Sequence, residues 1–225
     1  MKLKKIASLA LAGIMAVSML TACGEGGNGN NGGENPPADQ GTSAGLSAEI
    51  LNMSAYRTVK NVNGVDSVSL NNAVKAAAAI MGKGNDASDF TDLAQLQDSF
   101  GDYGKTMLNA AKSKMGTAEY LGDIINEKWA YVKNEADNDD HTVYNVYVVA
   151  QNLGDEAIKN LIAKKLEAIY PEIGVDTDVK LADSYSYDVS VAMADWQVGK
   201  DANVEKDGVI VGIAVTLHYD AAAFN

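Results

Sequence analysis

The spacing of apolar residues changes near Lys128, and this change constrains the fold of the 225-residue chain more than any other feature. Before it, in residues 46–126, apolar residues recur every three to four positions, which is typical of amphipathic helices. After it, they mostly recur every second position, which is typical of strands. The sequence therefore predicts a single α+β domain over 46–225, with a helical part at 46–126 and a ββαββ part at 127–225.

The helical part contains four segments with helix signals. The first covers 46–57, and the second is an alanine-rich helix that runs from its N-cap Ser69 to Gly82. An apolar stripe over 88–116 predicts either one long helix or two helices separated by glycine. A short helix capped by Thr117 is expected to follow.

The strand part predicts two hairpins on either side of one helix. The first hairpin has an acidic turn at 137–140 and its second strand at 143–150. The intervening helix covers 154–170. The second hairpin is expected to turn tightly at Asp207-Gly208, because this dipeptide is a strong two-residue turn signal. We expect an antiparallel sheet of about four strands, with the helices packed on one of its faces to form one core.

A basic start and a short apolar run precede the only cysteine of the chain. The apolar run, residues 6–20, is shorter than the ~20 residues that span a bilayer and fits a signal peptide. It ends in Leu-Thr-Ala-Cys at 20–23, which resembles the lipobox of bacterial lipoprotein precursors. The resemblance covers only residues 1–23. It implies that 1–22 are a signal peptide and that Cys23 carries two or three acyl chains, enough for stable membrane anchoring.

The lipobox resemblance implies a protein anchored to a cell membrane through Cys23 and facing outside the cytoplasm. The next residues, 23–45, are rich in glycine and asparagine and nearly free of apolar side chains, so we expect a disordered tether. The alternative is an ordinary secreted protein whose cysteine follows a cleavage site by chance. Either way, a chain with one cysteine forms no internal disulfide, and a core alone must hold the domain.

The charge balance narrows the classes of partner. The net charge is −12, and loss of the leader would remove three lysines, so nucleic acid and anionic lipid surfaces are disfavoured. Arg57 is the only arginine, which disfavours phosphate-centred functions. The segment Gly-Lys-Thr at 104–106 lacks the rest of a phosphate-binding loop and lies inside a helical stripe, so Gly104 is expected to serve either close packing or a helix break. We expect neither a nucleotide nor another cofactor.

An acidic turn is the candidate metal site. Asp137, Asp139, Asp140 and His141 concentrate oxygen ligands and one imidazole within a few residues, which suits calcium or another divalent ion. The spacing lacks the glycine and the glutamate of an EF-hand loop. The alternative interpretation is a solvated hairpin turn.

Histidine and tryptophan supply the remaining candidates. His218 lies beside Asp220, and a serine close in space would complete a hydrolytic triad, but the Gly-x-Ser-x-Gly pattern is absent from the sequence. Trp196 is out of phase with the alternation of its strand, so it and Trp129 are candidate contacts for a protein or glycan partner.

These observations favour a non-catalytic binding module for an envelope protein or glycan. One alternative is a hydrolase of wall or surface polymers that uses paired carboxylates as acid and base. Another is an assembly subunit that pairs through a free strand edge, for which residues 210–217 are the candidate strand.

Overall fold

Three long strands form the centre of a mixed sheet in the computed structural model, which describes residues 45–58, 62–82, 84–122, 140–169, 185–198 and 206–219. The described strands are β1 (Val62–Gly64), β2 (Ala94–Gln95), β3 (Glu119–Tyr120), β4 (His141–Ala150), β5 (Tyr185–Trp196) and β6 (Gly208–Tyr219). The described α-helices are α1 (Leu46–Met53), α2 (Val68–Ala78), α3 (Asp102–Lys112) and α4 (Asp155–Ile169). Short 3₁₀ helices cover Ala55–Thr58, Leu96–Asp98 and Gln151–Leu153. This content confirms the predicted α+β class.

The strand order is β1-β5-β6-β4-β2, and β3 also pairs with β4. The pair β5–β6 is antiparallel, as expected for the second predicted hairpin. The pairs β6–β4 and β4–β2 are antiparallel too, although β2 lies in a segment that was predicted to be helical. In contrast, β1 is parallel to β5 and β3 is parallel to β4, so the expectation of a purely antiparallel sheet of about four strands was wrong at the edges. Both parallel strands come from the 46–126 part, where no hairpin fixes their direction. Residues 46–126 thus contain described strands in addition to the helices α1, α2 and α3. The expected helical N-terminal half is therefore not confirmed.

The central position of β6 corrects one sequence-based expectation. Residues 210–217 pair with β4 from Val148↔Ile210 to His141↔Leu217. They pair with β5 from Ala194↔Ile210 to Tyr187↔Leu217. Their backbone groups are used within the sheet. The segment therefore offers no free strand edge for assembly with another chain.

Helices cover both faces of the sheet, so the expectation of helices on one face was wrong. On one face, α1 and α4 pack through apolar residues of a single cluster; it includes Ile50, Leu51, Ile158, Ile162, Leu166, Val211, Ile213 and Val215. On the other face, α2 and α3 contribute to a second cluster, which includes Leu70, Val74, Met107, Leu108, Val146, Ile210 and Ala214. The physical reason is that β4 and β6 are apolar on both faces, and each face needs a cover.

The stripe at 88–116 is not one helix. Only Asp102–Lys112 is α-helical, and β2 and a 3₁₀ helix precede it. Phe100 and Gly101 both have positive φ values, 59° and 61°, which turn the chain sharply before α3 begins. The apolar residues of the stripe are still in or against the core, so the pattern predicted burial correctly and conformation wrongly.

Other element boundaries shift for local reasons. The N-cap of α2 is Ser67, whose Oγ accepts a hydrogen bond from the N–H of Leu70 at 3.1 Å, and not Ser69. The predicted helix after Thr117 is replaced, at 119–120, by β3. The helix predicted at 154–170 is confirmed as α4.

The second hairpin does not turn at Asp207-Gly208. Gly208 pairs with Trp196, so residues 197–207 form the connection and the strands extend further than the sequence indicates. Asp207 closes the base of this connection, because its Oδ1 accepts a hydrogen bond from the N–H of Val198 at 3.0 Å.

Several predictions fall outside the described residues: the leader, the tether, the first strand of the first hairpin and most of its acidic turn. Within the described ranges, no helix has the length and apolarity that a membrane span requires.

Candidate functional site

A histidine held between two carboxylates lies at one end of the sheet. His218 on β6 contacts Oδ2 of Asp188 on β5 through Nε2, at 2.9 Å. Its Nδ1 lies 2.9 Å from Oδ1 of Asp140, which immediately precedes β4. Asn63 on β1 donates a hydrogen bond to the other oxygen of Asp188 at 3.3 Å. These four residues, the acid–histidine cluster, connect β1, β5, β6 and the start of β4.

The carboxylates hold His218 in its charged form. The hydrogen bond to Asp188 raises the pKa of His218 to about 9; burial opposes this rise, and Asp140 adds to it. Burial favours a higher pKa for Asp188, but its hydrogen bond to His218, the histidine's charge and Asn63 bring that pKa below its ordinary value. Both imidazole nitrogens are thus engaged. A general base needs a free nitrogen, so His218 as held here is not arranged as the base of a hydrolytic triad.

The candidate metal turn is only partly described. Asp140 directs its carboxylate to His218, and His141 lies on β4 with a buried Nε2 that has no hydrogen-bond partner among the described residues. Asp137 and Asp139 lie outside the described residues. Among the residues that are described, no three side chains of histidine, cysteine, aspartate or glutamate are grouped to hold a metal ion.

The two tryptophan candidates have different outcomes. Trp196 is fully buried: its ring packs 4.8 Å from the ring of Phe100, and its indole N–H donates to the carbonyl of Ile80 at 2.7 Å. It is a core residue and presents no surface to a partner, which corrects the expectation of an exposed contact. Trp129 lies outside the described residues.

The Gly-Lys-Thr segment is part of α3 and does not form a phosphate loop. Lys105 pairs with Asp102 at 3.0 Å, and the hydroxyl of Thr106 donates to the carbonyl of Asp102 at 2.9 Å. A Cβ atom at Gly104 would collide with the carbonyl oxygens of Ser99 and Leu96. Of the two expected roles, this contact supports close packing over a helix break, because Gly104 lies within α3.

An open cavity lies where α1, the following 3₁₀ helix and β1 meet. Its volume is about 260 Å³. Eight residues line it: Ala48, Leu51, Asn52, Tyr56, Arg57, Val62, Asn63 and Gly64. We call it the β1-edge cavity. Sequence reasoning missed it, because its walls come from three elements that only the tertiary fold brings together.

Local hydrogen bonds place Arg57 at this cavity. Ser54 ends α1: its hydroxyl donates to the carbonyl of Leu51 at 2.7 Å and accepts from the N–H of Tyr56 at 3.2 Å. The 3₁₀ helix that follows then carries the exposed side chain of Arg57. Arg57 forms no salt bridge with any described carboxylate, although acidic side chains outnumber basic ones, 30 to 18, in the whole chain.

Val62, Asn63 and Gly64 of β1 form another wall of the cavity, and Val62 and Gly64 are buried. The N–H of Val65 donates to the carbonyl of Val189 on β5 at 3.0 Å, and backbone groups alternate in direction along a strand. The N–H and C=O groups of Val62 and Gly64 therefore point away from β5, and they form no backbone hydrogen bond with another described residue. Glycine is required at 64, because a Cβ atom there would lie 2.5 Å from Cα of Ala48.

Arg57 has no ion-pair partner among the described residues, and the one signal of this in the sequence is that it is the only arginine of an acidic chain. At the level of sequence, a single arginine counts only against phosphate-centred functions. Comparison with known proteins adds no family: no model of a protein family, no curated protein and no solved structure matches the chain.

Proposed function

We propose that the protein is a lipid-anchored, extracytoplasmic binding module that recognises an envelope protein or glycan through the β1-edge cavity. The anchor rests on the sequence alone: the apolar run at 6–20, the lipobox-like segment at 20–23 and the tether-like composition of 23–45. In this proposal Cys23 carries the lipid, and the tether holds the domain near the membrane surface.

The observation that carries the binding function is the position of Arg57. It lines a cavity with Asn52 and the residues of β1, and it forms no salt bridge with a described carboxylate. A guanidinium group offers five donors in a fixed plane, so one in a concave site with no ion-pair partner among the described residues is available to a ligand.

The acid–histidine cluster does not favour the hydrolase alternative. Acid–base hydrolysis of a sugar polymer needs two carboxylates with space for the substrate between them. Here the imidazole of His218 occupies the space between Asp140 and Asp188.

The test uses the full chain, expressed in a bacterial host and recovered with its membranes. Envelope protein and glycan fractions are titrated against Arg57→Gln and against Lys164→Gln, a matched charge change at an exposed residue of α4. We expect Arg57→Gln to weaken binding about tenfold or more, as for loss of a charged hydrogen bond, and Lys164→Gln to bind like wild type. Equal binding by all three proteins would refute the cavity as the recognition site.

The same preparation tests the anchor. Cys23→Ser is expected to move the protein from the membrane fraction to the soluble fraction, and mass spectrometry is expected to find acyl chains on wild-type Cys23. An unmodified cysteine in wild type would refute the lipid anchor without affecting the cavity.

A further inference from the structure

We propose that the β1-edge cavity binds one acidic sugar of an otherwise neutral envelope glycan, with the sugar carboxylate held by Arg57. The inference rests on the proposed binding function and specifies its ligand. It depends on the charge of Arg57, on the polarity of the exposed cavity lining and on the size of the cavity.

Arg57 is the group that would hold the carboxylate. This residue is exposed at the cavity, and it has no ion-pair partner among the described residues. A planar guanidinium matches the two oxygens of a carboxylate, and charge-assisted hydrogen bonds of this type are stronger than neutral ones. The site therefore favours a ligand that carries a carboxylate.

The charge of the whole chain limits how many carboxylates the ligand carries. The net charge is −12, so a densely charged polyanion would be repelled by the rest of the protein surface. A single acidic sugar among neutral sugars keeps the attraction to Arg57 and avoids most of this repulsion.

The part of the lining that a ligand can reach is mostly polar. Asn52, Arg57 and Asn63 are the exposed residues of the lining, whereas the apolar Leu51 and Val62 are at most 7% exposed. The amide of Asn52 both donates and accepts hydrogen bonds, as a sugar hydroxyl group does. A sugar therefore matches this surface better than an apolar carboxylate does.

The size of the cavity and the burial of β1 favour one sugar over an extended peptide. A volume of about 260 Å³ is below the usual range for whole small-molecule ligands, roughly 300–1,000 Å³, and suits a single sugar unit. Val62 and Gly64 are buried, and a peptide that adds to a sheet needs an accessible strand edge. A sugar that binds to side chains does not need one.

The test is calorimetric titration of the full-length protein in detergent micelles with three ligands of similar size. Methyl glucuronoside carries the carboxylate and the hydroxyl groups, its carboxamide lacks the charge, and cyclohexanecarboxylate lacks the hydroxyl groups. The glucuronoside is expected to bind about tenfold more tightly than the amide, which lacks the charged partner of Arg57. It is expected to bind about fivefold more tightly than cyclohexanecarboxylate, which cannot bond to Asn52. Equal affinity for the glucuronoside and either comparison ligand, or no binding of the glucuronoside, would refute the proposal.

Variants show whether the cavity is responsible. Arg57→Gln should bind the glucuronoside and its amide equally, because the cation is gone. Asn52→Leu keeps the approximate size of the side chain but removes its amide, so it should bind the glucuronoside and cyclohexanecarboxylate with similar affinity. Lys164→Gln is the matched control and should retain both preferences. If Arg57→Gln still prefers the acid to the amide, the sugar binds elsewhere and the proposal is overturned.

Failure of this inference can be distinguished from failure of the proposed function. Acetyl-trialanine, a peptide with a free carboxylate, represents the protein alternative, and tighter binding of this peptide than of the glucuronoside would refute a glycan ligand. If envelope fractions bind through Arg57 but the glucuronoside does not bind, the cavity remains a recognition site and the acidic sugar is refuted. If the fractions bind independently of Arg57, the proposed function itself is refuted.

Discussion

The two ends of one sheet face differ in how they are stabilised, although both belong to β5 and β6. At the covered end, defined by Ala192, Trp196 and Ile210, side chains are at most 5% exposed and pack with the α2 and α3 cluster. At the open end, defined by Asp188, Thr216 and His218, the side chains are polar and partly exposed. The covered end relies on burial, whereas the open end relies on hydrogen bonds between strands.

Helix coverage explains the difference. Gly212, midway along β6, lets α2 approach closely, since a Cβ atom there would lie 2.6 Å from Cγ2 of Val74. The covered end lies on one side of this contact and the open end on the other, where Thr142 and Thr216 share a hydroxyl hydrogen bond of 2.9 Å. The comparison shows that one strand can serve as core and as polar surface, depending on where a helix lies.

The largest expected effect is at the covered end. Trp196→Ala should lower the free energy of unfolding by about 3–5 kcal/mol, because it removes a large, fully buried ring and leaves a cavity. Urea denaturation followed by far-UV circular dichroism measures the change. Tryptophan fluorescence is unsuitable, because the substitution removes one of the two tryptophans.

Trp196→Phe is the matched control. It keeps an aromatic ring but leaves the carbonyl of Ile80 without its indole donor, so it should cost less than the alanine variant. A cost below about 1 kcal/mol for Trp196→Ala would contradict full burial and restore Trp196 as a candidate contact surface.

The long strands and the helix α4 were predictable from sequence. The alternation of β5 and β6, the apolar run of β4 and the helical spacing of α4 each extend over many residues, so local pattern and burial agree. The short strands were not predictable. β2 and β3 are two residues long, too short to show a period, and their pairing depends on contacts distant in the chain.

The candidate sites were less predictable than the fold. The sequence indicated His218 beside Asp220, whereas the described partners are Asp140 and Asp188, which strand register brings to it. The β1-edge cavity likewise depends on the tight contact of Gly64 with α1, which is a tertiary feature. The residues next to Gly64 in the sequence do not indicate this contact.

The second prediction concerns the open end and its dependence on pH. His218→Gln should lower the free energy of unfolding by about 1 kcal/mol near pH 6, because partly exposed ion pairs contribute little. His218 has a folded pKa of about 9 against an ordinary 6.5, so its contribution is complete below pH 6.5 and is lost as the pH rises through 9. Asp188 has a lowered pKa, so its contribution is complete above 3.8 and is lost as the pH falls.

The measurement is the difference in unfolding free energy between wild type and His218→Gln across pH 3 to 10. The difference should be largest between the ordinary values of 3.8 and 6.5 and should decline on both sides. Asp140→Asn is a second change in the same cluster. It should lower the free energy of unfolding less than loss of the contact with Asp188 does, because Asp140 is more exposed than Asp188. A difference that does not change with pH would show that the acid–histidine cluster is not formed in solution.

The smallest expected effect is at the threonine pair. Thr216→Val keeps the size and branching of the side chain but removes one hydroxyl, so the cost should be about 0.5–1 kcal/mol, measured by urea denaturation. The double variant Thr142→Val, Thr216→Val should recover most of this loss, because it replaces both partners by apolar groups of similar shape.

The double variant decides whether folding itself requires a polar open end. If it is as stable as wild type, stability does not require hydroxyl groups there, and the polarity of Thr142 and Thr216 reflects only their contact with solvent or a ligand. If the double variant loses more than the sum of the single changes, the hydroxyl pair is part of a coupled network with the neighbouring acid–histidine cluster. The open end would then resemble the covered end in being held together as a unit, by hydrogen bonds in place of burial.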